Sequence, residues 1–183
     1  MLTLGTPAER PYENNQHHIL RNFWEGNWNY WLSIDADNSP LNNPLDLVEL
    51  DLDMVGLPTP IWHWTGKSGE RPIYWNAYDY DESTDAYREH SVREGLQKVD
   101  AVGTGCFLMA RRVAEHPDLQ HGAFLRKLWP DGTVNKGNDL SFCERARKIG
   151  FKIWCHYGYP CRHFQEIDLH EVALAIKGLT NGR

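Results

Sequence analysis

The chain contains no uninterrupted apolar run of the length, about 20 residues, that crosses a bilayer. Its opening, Met-Leu-Thr-Leu-Gly-Thr-Pro-Ala-Glu-Arg, lacks the basic stretch followed by an apolar one that marks a secretory signal. No stripe of Lys and Arg runs along it and the net charge is -6, so nucleic acid is not an expected partner. Cysteine is sparse. The four residues Cys106, Cys143, Cys155 and Cys161 form no Cys-x-x-Cys pair, so reduced thiols and a cytoplasmic location are expected. Internal repeats and low-complexity tracts are also missing.

What remains is a chain of 183 residues, 41% hydrophobic, enough for one domain with a core of its own across residues 1–183. Eight tryptophans and eight tyrosines are many for this length. Aromatic faces stack on the C–H faces of sugars and also fill cores, and composition does not choose between the two.

Apolar periodicity predicts a helix over residues 8–25, with Ile19, Leu20, Phe23 and Trp24 on one side and Gly26 and Asn27 ending it. Trp28 to Ile34 reads as a buried strand, and a short helix is expected from Pro44. Met54 to Leu57 reads as a strand, and residues 61–98 as hairpin or loop with a turn at Gly66 and Gly69. Val99 to Ala110 reads as one strand interrupted by Gly103 and Gly105, and Arg111 to Glu115 as a short helix. Asn138 to Ile149 is an amphipathic helix closed by Gly150, followed by a strand at Phe151 to Cys155 and a helix from Ile167 to Ile176. Strands alternating with helices predict an α/β layer architecture.

Four segments carry chemistry. In the first, Trp31-Leu32-Ser33-Ile34-Asp35-Ala36-Asp37-Asn38, two carboxylates spaced two apart follow a strand. Such a pair can converge on a hard cation and its phosphate oxygens. The plainer alternative is an Asx turn. An EF-hand loop is excluded, because Pro40 stands where its sharp turn needs Gly. Asp51 and Asp53, a second spaced pair, are expected to be solvated. The second segment is Gly103-Thr104-Gly105 inside an apolar strand, which signals a bulge or a backbone that approaches a ligand. The third is Asn138-Asp139 at a helix start. Asp139 can serve as a general base or simply cap the helix. The fourth is Cys161-Arg162-His163, where His163 is either a metal ligand or structural.

In this order the segments resemble the GT-A glycosyltransferases, especially family 2 and related bacterial and phage enzymes. The resemblance rests on Asp35-Ala36-Asp37, Asp53 to Pro58, Gly103 to Arg112, Asn138 to Gly150 and His163, and spans about residues 11–165. It implies a three-layer α/β/α fold with a mostly parallel central sheet, truncated at the N-terminus so that the nucleobase-binding segment is missing. Its implied activity is metal-dependent transfer of a sugar from a nucleotide-diphosphate donor to an acceptor hydroxyl on a carbohydrate or other molecule, with inversion. Asp35 and Asp37 would bind donor and metal, and His163 would complete a Mn2+ or Mg2+ shell. Gly103, Thr104 and Gly105 would line the sugar pocket, and Asp139 would be the catalytic base. Asn138 stands where the family usually has Glu. A partner chain or second copy is the expected source of the missing contacts. Two other readings compete: a non-catalytic carbohydrate- or nucleotide-binding remnant of the same fold, and a small zinc-binding module using Cys155, His156, Cys161 and His163. The usual zinc-ligand spacings do not match the latter.

Overall fold

The structure is a computed structural model that describes residues 12–63 and 71–181. Residues 8–11 of the expected first helix and the expected turn at Gly66 and Gly69 lie outside the described residues. Helix α1 (Tyr12–Glu25) turns Gln16, Leu20 and Phe23 inward at helical spacing. Its end is closed by Arg111. The guanidinium donates to the carbonyls of Phe23, Trp24, Gly26 and Trp28 at 2.8–3.3 Å, satisfying oxygens that a helix end leaves without partners.

Strand β1 (Tyr30–Ile34) follows, then β2 (Asn38–Pro40) and a 3-10 helix at Pro44–Leu50 opened by the Asn43 side chain. Next come β3 (Met54–Gly56), β4 (Pro60–Trp62), β5 (Ile73–Trp75), β6 (Ala77–Asp81) and β7 (Ala86–Glu89). Strands β8 (Leu96–Val99), β9 (Ala101–Val102) and β10 (Cys106–Ala110) lead to the short helices α2 (Arg111–Ala114) and α3 (Pro117–Gln120). The chain continues through β11 (Lys127–Leu128), β12 (Val134–Lys136), α4 (Asn138–Lys148), β13 (Ile153–His156), β14 (Cys161–His163) and α5 (Leu169–Asn181).

The expected mostly parallel, three-layer sheet is not what forms. The largest sheet has five strands in the order β1-β10-β3-β13-β8, and only β3 and β13 run parallel. Among the described residues there are four smaller sheets, all antiparallel: β2 with β14, β4 with β5, β7-β6-β9, and β11 with β12. The reason lies in the connections. A parallel neighbour needs a long crossover, usually a helix. Between β1 and β10 the described chain runs through a 3-10 helix and antiparallel strands with no crossover α-helix, and β10 lies between β1 and β3, antiparallel to both.

Strand β10 is buried along its whole length. Phe107 and Met109 face a core built with Trp31, Phe124 and Phe142, while Cys106 and Leu108 face a second core with Leu47, Val55 and Leu57. Burial on both faces explains its unbroken apolar run. Phe124 and Phe142 stack with centroids 4.2 Å apart, and Trp31 meets Phe107 and Phe124 edge-on.

The expected strand over Val99 to Ala110 is three strands in two sheets. Strand β8 belongs to the main sheet, β9 pairs with β6, and β10 returns to the main sheet after Gly103-Thr104-Gly105. Gly105 allows this return: a Cβ there would lie 2.3 Å from Asn38 Nδ2. Asp51 and Asp53 are not simply solvated. Arg112 bonds Asp51 at 2.7 Å and Asp53 at 2.6 Å, and Asp53 also accepts the Lys152 amide at 3.0 Å. All four cysteines are free and buried. Among the described residues no helix is long and apolar enough to cross a membrane.

Candidate functional site

Asp35 is the first residue after β1. Its amide donates to the Gly105 carbonyl at 2.7 Å, which fastens the strand end to the glycine turn. The Asp35 carbonyl accepts the Asn38 amide at 2.9 Å, so Asp35 to Asn38 forms a tight turn. Strand β2 then pairs with β14, placing Asn38 opposite His163. Helix α4 brings Asp139 from a further part of the chain.

These elements enclose a cavity of about 320 Å³. Asp35, Asp37, Gly103, Gly105, Asp139 and His163 all line it, drawn from four separate segments. Thr104 does not. Its hydroxyl is buried and accepts Gln16 Nε2 at 2.9 Å, while Asn138 Nδ2 donates to Gln16 Oε1 at 2.6 Å. Thr104 and Asn138 thus tie the glycine turn and the start of α4 to α1. Asn138, at the position where the resemblance expects Glu, is used in that clamp.

His163 and Asp37 face each other, with Nε2 and Oδ2 3.4 Å apart. The other ring nitrogen, Nδ1, lies 2.9 Å from the Pro60 carbonyl oxygen. A carbonyl only accepts, so Nδ1 carries the proton. In a neutral ring Nε2 is then a bare lone pair turned toward a carboxylate oxygen. That contact is repulsive unless a proton or a cation stands between them. Orienting a ligand imidazole through its second nitrogen is how metal-binding histidines are held.

Asp35 accepts a hydrogen bond from Tyr12 at 3.0 Å. Burial raises its pKa. The Tyr12 bond opposes that shift, and the charges of Asp37 and Asp139 add to it. Burial also raises the pKa of Asp139, against the pull of the Asp139, Thr104 and Leu140 amides. Among the described residues no three His, Cys, Asp or Glu side chains gather into a group that holds a metal by itself. Asp35 therefore does not join Asp37 and His163 in a ready-made shell, and the quartet Cys155, His156, Cys161 and His163 is not assembled. Asp37 and His163 are two groups that could share a cation only if a bound molecule supplied its remaining ligands.

The rest of the lining comes from Asn38, Thr59, Ile61, Tyr74, Asn76 and Tyr78. Asn76 is buried and locked: its side-chain oxygen accepts the Thr59 amide at 2.8 Å and its carbonyl accepts the Gly103 amide at 2.9 Å. Nothing in the local sequence around Asn76 distinguishes it from a turn residue. Asn38 adjoins the Asp-x-Asp pair, and that adjacency was the available signal. Tyr12 carried none.

No family model matches the chain, and no curated protein does. A likeness appears only in three dimensions. The fold resembles that of A197 from STIV. The two share 14% identity at a TM-score of 0.56, over 86% of this chain and 70% of that viral protein. At that identity the likeness concerns the fold alone.

Proposed function

We propose that this protein transfers a sugar from a nucleotide-diphosphate donor to an acceptor hydroxyl, with a divalent cation, Mn2+ or Mg2+, at the site. The observation that carries this reading is the convergence of Asp35, Asp37, Asp139 and His163 on one cavity, with His163 Nε2 turned toward Asp37. Asp37 and His163 would hold the cation, which when bound neutralises the leaving diphosphate. Asp35 orients the donor by accepting hydrogen bonds from its hydroxyls, and Tyr12 keeps that carboxylate in place. Gly103 and Gly105 let the backbone lining the cavity pack closely against its neighbours: a Cβ at Gly103 would come 2.7 Å from Asn76 Nδ2 and one at Gly105 2.3 Å from Asn38 Nδ2. Asp139 takes the proton of the acceptor hydroxyl as the new bond forms. A carboxylate whose pKa is raised by burial is a better base than a solvated one.

One observation favours the non-catalytic alternative, a carbohydrate- or nucleotide-binding protein. Asp139 stands in the first turn of α4, where a carboxylate suits the helix dipole without any part in a reaction. Turnover by purified parent and Asp139→Asn protein, with donor binding measured separately, separates the two. The transfer reading expects turnover to fall by about two to four orders of magnitude while donor binding persists. Equal turnover removes Asp139 from the reaction, and cation-dependent binding without any turnover favours the binding protein. For the cation itself, Asp37→Ala should abolish Mn2+-dependent binding of a nucleoside diphosphate in calorimetry. Unchanged binding removes Asp37 from the cation site.

A further inference from the structure

The buried stripe of α1 runs through Glu13, Gln16, Leu20 and Phe23. Leu20 and Phe23 enter the core, and Glu13 pairs with Arg126. Gln16 is uncharged, yet it is only 3% exposed. A buried carboxamide costs free energy unless its groups are paired, and an apolar side chain would fill the same space without that cost. Packing alone therefore gives no reason for a glutamine here.

Both ends of Gln16 reach the candidate site. Nε2 donates to the Thr104 hydroxyl at 2.9 Å, and Oε1 accepts from Asn138 Nδ2 at 2.6 Å. Thr104, itself 2% exposed, is the middle residue of the glycine turn, and Asn138 directly precedes Asp139. The Thr104 amide also acts on the Asp139 carboxylate. A closed ring results, from Gln16 to Thr104, to Asp139, to Asn138 and back to Gln16. One turn earlier on α1, Tyr12 donates to Asp35 at 3.0 Å. Residues four apart share a helix face. The same stretch of α1 thus touches Asp35 directly and Asp139 through its neighbours.

We infer that Gln16 is a positioning residue: by bonding Thr104 and Asn138 at once, it fixes where the Asp139 carboxylate stands relative to the glycine turn and Asp35. The inference rests on the sugar-transfer reading only for what Asp139 does once it is placed. A merely structural Gln16 would behave differently. Breaking its bonds would then lower stability and leave the surroundings of Asp139 as they are.

The test uses the full chain with 13C-labelled aspartate. Gln16→Met keeps the length of the side chain and removes both bonds. Asn138→Ala breaks the ring from outside α1, so the result stands even if one variant fails to fold, which circular dichroism checks. Neither substitution adds or removes a charge. Carbon-13 NMR follows the Asp139 carboxyl through its titration, with the signal identified by its loss in Asp139→Asn. Burial places the parent midpoint above the ordinary carboxylate range. In each folded variant it should move down toward that range as water reaches the carboxyl, while Asp131, on the distant β11–β12 turn, stays put. The double variant should move Asp139 no further than the larger single shift, because both changes break one ring. With a donor and acceptor that support turnover, kcat should fall about a hundredfold, the scale of a misplaced reacting group. Mn2+-dependent binding of a nucleoside diphosphate should persist. The inference is overturned if folded variants melt lower while Asp139 titrates as in the parent, if Asp131 moves with it, if the two single shifts add, or if diphosphate binding falls in step with turnover. A parent without turnover defeats the transfer reading and leaves the titration to decide on Gln16. An unmoved titration beside an active parent defeats the role of Gln16 and leaves the transfer reading standing.

Discussion

Two regions of this molecule concentrate charge and treat it in opposite ways. Behind the cavity, Lys136 is 2% exposed and its Nζ bonds Asp85 at 2.8 Å and Glu144 at 3.0 Å. Lys148 adds a second bond to Glu144 at 2.6 Å, and the Tyr80 ring lies 4.8 Å beneath the Lys136 ammonium. Both carboxylates are pushed below their usual range. Lys136 and Tyr80 hold Asp85 down to about 2; Lys148 and Lys136 lower Glu144 against the effect of its burial. At the cavity, Asp35 and Asp139 are raised instead by burial, and among the described residues neither forms a salt bridge with a lysine or arginine, though the Arg126 charge acts on Asp139 from a distance. Compensated charge holds elements together. Uncompensated charge is stability given up so that the site can attract something else.

If this contrast is real, Lys136→Met should be the most damaging of the variants considered. It strips a buried Glu144 of its central partner and should cost about 3 kcal/mol in urea unfolding. A loss below about 0.5 kcal/mol would make the cluster ornamental. At the cavity the sign reverses. Asp139→Asn and Asp35→Asn should each raise the melting temperature of the ligand-free protein by a few degrees, even while function is lost. A lower melting temperature for both would mean that these carboxylates are structural.

The pH dependence follows the same division. Asp85 and Glu144 have lowered values, so their stabilisation is complete above the ordinary carboxylate range and disappears as pH falls through their folded values. Asp35 and Asp139 have raised values. Their contribution is complete below the ordinary carboxylate range and is lost as pH rises through their folded values. A double Asp35→Asn, Asp139→Asn variant should therefore lose less stability than the parent between about pH 4 and pH 7. Parallel melting curves across that range would refute the assignment. The smallest effect is expected from Tyr12→Phe. Without the phenol bond the Asp35 carboxylate ionises less readily, so Mn2+-dependent binding of a nucleoside diphosphate should weaken a few-fold at pH 6 and less at pH 8. An equal effect at both pH values would make Tyr12 a packing residue only.

Local pattern carried several elements well. The apolar spacing of Leu20 and Phe23 marks α1, Asn138 opens α4, and Gly150, at φ 102°, follows its end. Asp35 follows a strand, as the apolar run before it implies. Local pattern also misled. The alternation of strand and helix read as α/β and the resemblance added a mostly parallel sheet, yet β10 runs antiparallel to both β1 and β3; a strand buried on both faces has the same composition whichever way it runs. The run from Val99 to Ala110 looked like one strand because periodicity does not register a change of sheet.

The sequence by itself determined α1, β1 and α4 beside the site, and which side chains had the chemistry to act there. Those properties depend on neighbours a few residues apart. Only the tertiary structure decided the direction of β10, the meeting of Asp37 with His163 through the pairing of β2 with β14, and the joining of Thr104 to Asn138 through Gln16. Each depends on contacts between segments far apart in the chain, whose backbone hydrogen bonds can be satisfied in more than one register and direction until packing selects one.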